Sequence, residues 1–171
     1  MGVQRLNHAV LYVGDVPRSV AFYRAALGME VVDDLGQAAF LHLPEGGNHH
    51  DLGLFSVGSG GRRGGPGLYH LAWEVDSFDT LVERRGALME LGALVGESDH
   101  GVSLSLYAQD PDGIEFEVCW LLPADRIDDE IREGTKDMRP RPLDLAAEIA
   151  RYGGETRGGV GVSIPAIPAS A

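Results

Sequence analysis

Leu6-Asn7-His8-Ala9-Val10-Leu11-Tyr12-Val13 is written a second time, 62 positions further on, as Leu68-Tyr69-His70-Leu71-Ala72-Trp73-Glu74-Val75. Both stretches alternate as half-buried strands do, and both carry a histidine at the same place. The likeness continues outward. After the first stretch, Asp15-Val16-Pro17 offers a capping side chain and a proline near the first helical turn. Val16, Val20, Tyr23 and Leu27 then fall at helical spacing, and Gly28 stops the helix. In the second copy Asp76 or Ser77 can cap, Phe78, Leu81, Leu88 and Leu91 make the apolar stripe, and Gly92 ends it. The exits Leu27-Gly28-Met29-Glu30-Val31 and Leu91-Gly92-Ala93-Leu94-Val95 also correspond. Short alternating runs follow, 38–43 and 51–57 in the first copy, 103–108 and 114–120 in the second.

The plan is strand, helix and three strands, twice. It predicts an α+β fold of two tandem βαβββ modules, residues 1–60 and 66–123, whose strands make a cupped mixed sheet within one domain over 1–123. Between the modules, Gly58-Ser59-Gly60-Gly61-Arg62-Arg63-Gly64-Gly65-Pro66-Gly67 is too glycine-rich for regular structure and reads as a linker. It lacks the lysine and following helix of a phosphate-cradling loop. Past Pro123 the duplication stops. Residues 124–171 form an extension in which Leu143, Leu145, Ile149 and Tyr152 mark a helix after Pro140 and Pro142, stopped by Gly153-Gly154. That helix is expected to pack on the module pair or on a neighbouring subunit. From about Glu155 onward the Gly, Ala, Ser and Pro content predicts a flexible end.

Composition narrows the function classes. With 171 residues and 44% of them hydrophobic, the chain can bury a real core. No apolar stretch approaches membrane-spanning length, and Met1-Gly2-Val3-Gln4-Arg5 runs straight into a strand, so neither a membrane partner nor a signal peptide is expected. A net charge of −12 repels phosphate backbones and argues against nucleic acid. The single cysteine, Cys119, leaves no internal disulfide, which fits a reducing cytoplasm.

Candidate chemistry begins with the two histidines. A strand histidine by itself is ordinarily a hydrogen-bonded core or surface residue; two at equivalent repeat positions make a pair of candidate metal ligands. Downstream, Asp110-Pro111-Asp112-Gly113 turns into a strand carrying Glu115 and Glu117 on one face. Glu117, flanked by Phe116, Val118 and Trp120, lies deeper in the strand, where an unpaired carboxylate is costly to bury. His8, His70 and Glu117 together are two histidines and one carboxylate, the facial set that holds non-haem iron(II) and leaves coordination positions open.

On these residues the chain resembles the vicinal oxygen chelate superfamily of glyoxalases, bleomycin resistance proteins and dioxygenases. Within it the likeness is to one-domain type I extradiol, catechol-cleaving dioxygenases, and it covers roughly Gln4 to Pro123. The resemblance implies that His8, His70 and Glu117 bind Fe(II), with Mn(II) fitting the same donors. In Asn48-His49-His50-Asp51-Leu52-Gly53-Leu54-Phe55 it implies that His50 is the acid/base histidine and His49 a loop neighbour. His100-Gly101-Val102-Ser103 and Tyr107 resemble the stretch in which a histidine and a tyrosine line the substrate pocket. The implied substrates are an aromatic diol and O2, the implied product a ring-opened semialdehyde or keto acid, and the implied assembly a homo-oligomer.

Other functions of the superfamily remain open. A glyoxalase I-like isomerase or an epimerase needs a fourth protein ligand from the first module. Subtracting the 62-residue offset from Glu117 places it at Phe55, where Leu52, Gly53 and Leu54 are equally unable to ligate; Asp51 is the only nearby carboxylate. A non-enzymatic small-molecule binding or resistance protein needs no complete triad.

Overall fold

The first copy of the repeat folds as its spacing predicts. Strand β1 (Ala9–Val13) leads to helix α1 (Val16–Leu27), followed by β2 (Glu30–Asp34), β3 (Ala38–His42) and β4 (Leu52–Ser56). Asp15 is the N-cap, its carboxylate accepting from the Arg18 N–H, and Gly28 closes the helix in the left-handed region at φ 71°. The strands order as β1-β4-β3-β2, with β1 parallel to β4 and the other pairs antiparallel.

The second copy repeats this order. It comprises β5 (His70–Glu74), α2 (Phe78–Glu90), β6 (Leu94–Asp99), β7 (Ser103–Gln109) and β8 (Glu115–Leu121), arranged β5-β8-β7-β6 with β5 parallel to β8. Of the two capping candidates, Ser77 is the one used. Both sheets carry an irregularity at the corresponding place, between Val31 and Asp33 and between Leu94 and Gly96.

The computed structural model describes residues 8–45, 49–57, 68, 70–132 and 140–158. The glycine-rich linker and residues 159–171 of the extension lie outside them. The chain divides into two units, Met1–Leu68 with Asp110–Ile114, and Tyr69–Gln109 with Glu115–Ala171. Each has its own core. In the first, α1 turns Val16, Phe22, Tyr23 and Ala26 inward against β3 and β4, whose Leu41, Leu52 and Leu54 are fully buried. This buried stripe is rotated from the predicted one: Val20 and Leu27 sit at its margin, and Ser19 with Phe22 is inside. In the second, Phe78, Leu81 and Leu88 of α2 pack toward β6 and β8 with Trp120. Leu91, expected in that stripe, is exposed because it is the C-cap, past the last turn that faces the sheet.

The extension belongs to the second unit. A 3-10 turn (Ala124–Arg126) and a short helix α3 (Asp129–Arg132) precede α4 (Leu145–Tyr152). Helix α4 begins two residues later than Leu143 because Asp144 caps it, accepting from the Ala147 N–H. After α4 the chain runs across the start of α2. Thr156 O accepts from the Phe78 N–H and from the Trp120 indole, Gly154 O accepts from the Asp79 N–H, and Gly158 N–H donates to Asp76 O. These bonds satisfy amide groups that a helix N-terminus leaves without partners inside the helix. Residues 155–158, the first part of the stretch predicted as flexible, are therefore tied down. Among the described residues no helix is long and apolar enough to cross a membrane.

Candidate functional site

In the second unit, strand register gathers the expected residues. Parallel pairing sets His70 opposite Glu115 and Ala72 opposite Glu117, and antiparallel pairing sets Tyr107 opposite Glu117. Alternation then places His70, Tyr107, Glu115 and Glu117 on one sheet face. His70 Nε2 lies 3.2 Å from Glu117 Oε2, whereas His70 Nδ1 is 3.8 Å from Glu115 Oε1. The Glu117 side chain is 12% exposed and that of Glu115 24%, so the deeper carboxylate is the one in close contact. The His70 and Tyr107 rings are 6.0 Å apart, and His100 Nε2 makes a 2.8 Å hydrogen bond with Tyr107 Oη. Burial, with Glu117 and Glu74 nearby, pushes the Cys119 thiol up to about 12, which leaves it protonated and unreactive at neutral pH.

The first unit holds the other two expected residues. His8 directly precedes β1, whose Ala9 N–H donates to Asp51 O, and this bond brings the approach to β4 alongside it. The His8 and His50 rings stand 4.6 Å apart, and the edge of Phe40 meets His50 at 4.9 Å. His49 Nδ1 is 3.2 Å from His50 Nδ1. Partial desolvation, and then the charges of His8 and His49, hold the His50 imidazole below its ordinary pKa. A neutral imidazole at neutral pH can accept a proton.

The register corrects the place expected for a fourth ligand. Ala72 pairs with Glu117, and its counterpart Val10 pairs with Gly53, so the position matching Glu117 is Gly53 and not Phe55. A Cβ there would meet Val10 Cγ2 at 3.3 Å and Phe55 Cε2 at 3.4 Å, so a side chain at this position requires both neighbours to give way by a few tenths of an ångström. Asp51, the remaining carboxylate, is buried and accepts from the Leu43 N–H at 2.8 Å. It serves the backbone.

Among the described residues no three His, Cys, Asp or Glu side chains form a group able to hold a metal ion. The second unit gathers two members of the expected triad, His70 and Glu117, and His8 lies in the first unit. The donor pair itself suits a divalent ion. Two donors in adjacent octahedral positions, each about 2.1 Å from the ion, are about 3 Å apart, close to the 3.2 Å between His70 Nε2 and Glu117 Oε2.

One feature was invisible in sequence: the anchoring of the turn before β8. Asp110 is 5% exposed and accepts from the Tyr23 hydroxyl at 3.1 Å and from the N–H groups of Asp112 and Ile114. Asp112 accepts from Gly14 N–H and from Arg18, the latter at 2.7 Å. Burial raises both the Asp110 carboxyl and the Tyr23 phenol above their ordinary values. Nothing local in the sequence marks partners so far apart along the chain.

A family model described as Glyoxalase/Bleomycin resistance protein/Dioxygenase superfamily matches residues 5–118. Metapyrocatechase 2 of Cupriavidus necator is 34% identical over 54% of this chain and 28% of its own length. Biphenyl-2,3-diol 1,2-dioxygenase 3 of Rhodococcus globerulus is 32% identical over 64% of this chain and 59% of its own length. The chain thus spans less than two thirds of the length of either relative. Among solved structures, lactoylglutathione lyase from Agrobacterium tumefaciens superposes with a TM-score of 0.54 at 25% identity, over 70% of this chain and 95% of that one.

Proposed function

The chain belongs to the Glyoxalase/Bleomycin resistance protein/Dioxygenase superfamily, and from that premise we propose that it is a metal-dependent extradiol dioxygenase that opens the ring of a catechol-type diol with O2. The observation that carries this reading is the cluster in the second unit, where an imidazole and a carboxylate converge at 3.2 Å beside a tyrosine that is itself hydrogen-bonded to a histidine. Names of curated relatives point the same way, two of them being a metapyrocatechase and a biphenyl-diol dioxygenase.

In this reading His8, His70 and Glu117 hold the metal. Bound there, Fe(II) or Mn(II) would supply open positions for the diol, lower the pKa of its hydroxyls and provide the redox chemistry that O2 requires. His50, kept neutral, takes a proton from the diol and later returns one to the reacting oxygens. Tyr107 orients the substrate. If His100 Nε2–H donates to Tyr107 Oη, the phenolic proton is left to hydrogen-bond the substrate's ionised oxygen. The isomerase reading, to which the lactoylglutathione lyase likeness would lead, lacks a fourth ligand at Gly53.

The test is anaerobic reconstitution of the purified protein with Fe(II), followed by a screen of several catechols. A yellow ring-fission product with matching oxygen uptake is expected. Full metal occupancy with no oxygen uptake on any catechol, combined with isomerisation of a glutathione hemithioacetal, would overturn the reading.

A further inference from the structure

We propose that Arg141, in the C-terminal extension, is a positioning residue for the His100–Tyr107 pair. The proposal rests on the reading above, in which Tyr107 hydrogen-bonds the substrate.

His100 has no place in a strand. It follows Asp99, the last residue of β6, in the turn leading to β7, and reaches back to Tyr107 Oη. Its geometry therefore depends on that turn. Two bonds hold the turn from within: His100 N–H donates to Ser103 O at 2.9 Å, and Gly101 N–H donates to the Asp99 carboxylate at 2.6 Å. Gly101 adopts φ 81°, a conformation that other residues rarely take.

The hold from outside comes from Arg141. Its N–H and C=O exchange two 2.9 Å hydrogen bonds with Asp99, adding a one-residue antiparallel bridge to the edge of β6. Its guanidinium also lies 3.2 Å from the Asp99 carboxylate, the same group whose other oxygen accepts from Gly101. Asp99 thus connects Arg141 on one side to the turn carrying His100 on the other. The ion pair is half open to solvent, its side chains 53% and 17% exposed, so its contribution to global stability is small. Its leverage is local. A cleft lined by Asp99, Ser103, Arg141, Glu148 and Tyr152 flanks the turn. A hydrogen bond of 2.8 Å between two side chains does not survive a shift of about 1 Å, and misplacement on that scale is costly at a reacting centre.

The experiment uses the full chain loaded with Fe(II), with Arg141→Met removing the charge while keeping the stem, and Arg141→Lys restoring a charge. In crystals of Arg141→Met the His100 Nε2 to Tyr107 Oη separation is expected to exceed 3.5 Å. Turnover of catechol, used as the probe, is expected to fall about tenfold, as for loss of an outer partner of a site residue, with Arg141→Lys recovering most of it. In the Tyr107→Phe background Arg141→Met is expected to have no further effect on kcat, because both changes act through one hydrogen bond. An unchanged His100–Tyr107 distance, or an equal loss in both backgrounds, overturns the proposal. If Arg141→Met does not fold, Arg141→Gln, which also removes the charge while keeping a polar end, carries the same distance and non-additivity measurements. Failure of the parental protein to act on catechol sinks the extradiol reading instead, while the crystal distance still decides the positioning.

Discussion

The two units share one backbone plan and differ where the chemistry would be done. On corresponding rungs of the two parallel pairs, the first unit has Val10 opposite Gly53 and the second has Ala72 opposite Glu117. Small and large have changed places, and one version carries a charge. Around the first rung, Val10, Phe55 and Phe40 close over the glycine, and His8 and His50 stand beside them. Around the second, a carboxylate, an imidazole and a phenol point from adjacent strands onto one face. A duplicated fold therefore does not duplicate a site: strand order is repeated, while the side chains on this face of each sheet differ.

The largest effects are expected from exchanging these roles. Glu117→Ala and His70→Ala should each reduce bound metal and ring opening to background, and His8→Ala should do the same if the first unit contributes the third donor. Elemental analysis of the purified variants decides this, and full occupancy in His8→Ala would remove it from the ligand set. The reverse exchange, Gly53→Glu, should add no metal site and should destabilise by about 1–3 kcal/mol in denaturant unfolding, because the new side chain overpacks Val10 and Phe55. Gain of metal there without loss of stability would show that the two rungs are interchangeable after all.

Next comes His50→Phe, which should leave metal bound while slowing catechol turnover by about 10²–10⁴-fold if His50 works as a general acid–base. Metal loss in this variant would move His50 into the coordination sphere and bring an isomerase-like site back into consideration. Removal of residues 140–171 should affect the second unit only, by uncovering Trp120 and the start of α2, and should lower Tm by roughly 5–10 °C. An unchanged melting curve would mean that these bonds contribute nothing to folding.

The smallest expected effect concerns the first unit. The Asp110 carboxyl is raised by burial, so the folded state binds its proton more tightly than the unfolded chain does. The stability it contributes is full below the ordinary carboxylate range and is lost as pH rises through the folded value. Melting curves across the acidic range should show this slope in the parental protein and a flatter one in Asp110→Asn; identical slopes would dissociate the turn from the pH response.

Periodicity made the element order legible, because strand alternation and helical spacing are local properties, and so were the Asp15 and Gly28 caps. That Glu117 is the more deeply set of the two carboxylates on β8 was legible from its apolar neighbours. What misled was a single offset. The first strands are 62 apart, as His8 and His70 show, but Gly28 and Gly92 are 64 apart, since α2 runs further before its stop. The offset then widens to 67 between Phe40 of β3 and Tyr107 of β7 and falls back to 64 at β4 and β8, because the later loops differ in length too, so the counterpart of Glu117 is Gly53. By contrast, neither the tail's bonds to Trp120 and α2 nor the Tyr23–Asp110 contact could be read, because both join residues far apart along the chain, where neither periodicity nor propensity reaches.

The anchored turn has a consequence for how this protein can be taken apart. The first unit is discontinuous: it takes Asp110–Ile114 from between two strands of the second. A cut in the glycine-rich linker, the obvious place to divide the gene, would give a first half in which Tyr23, Gly14 and Arg18 lose the acceptors they use, and a second half with a turn built to be gripped elsewhere. The repeat is visible as two copies in the text of the sequence, yet as a material object it does not come apart into two pieces; co-expressed fragments would have to find each other to complete either one.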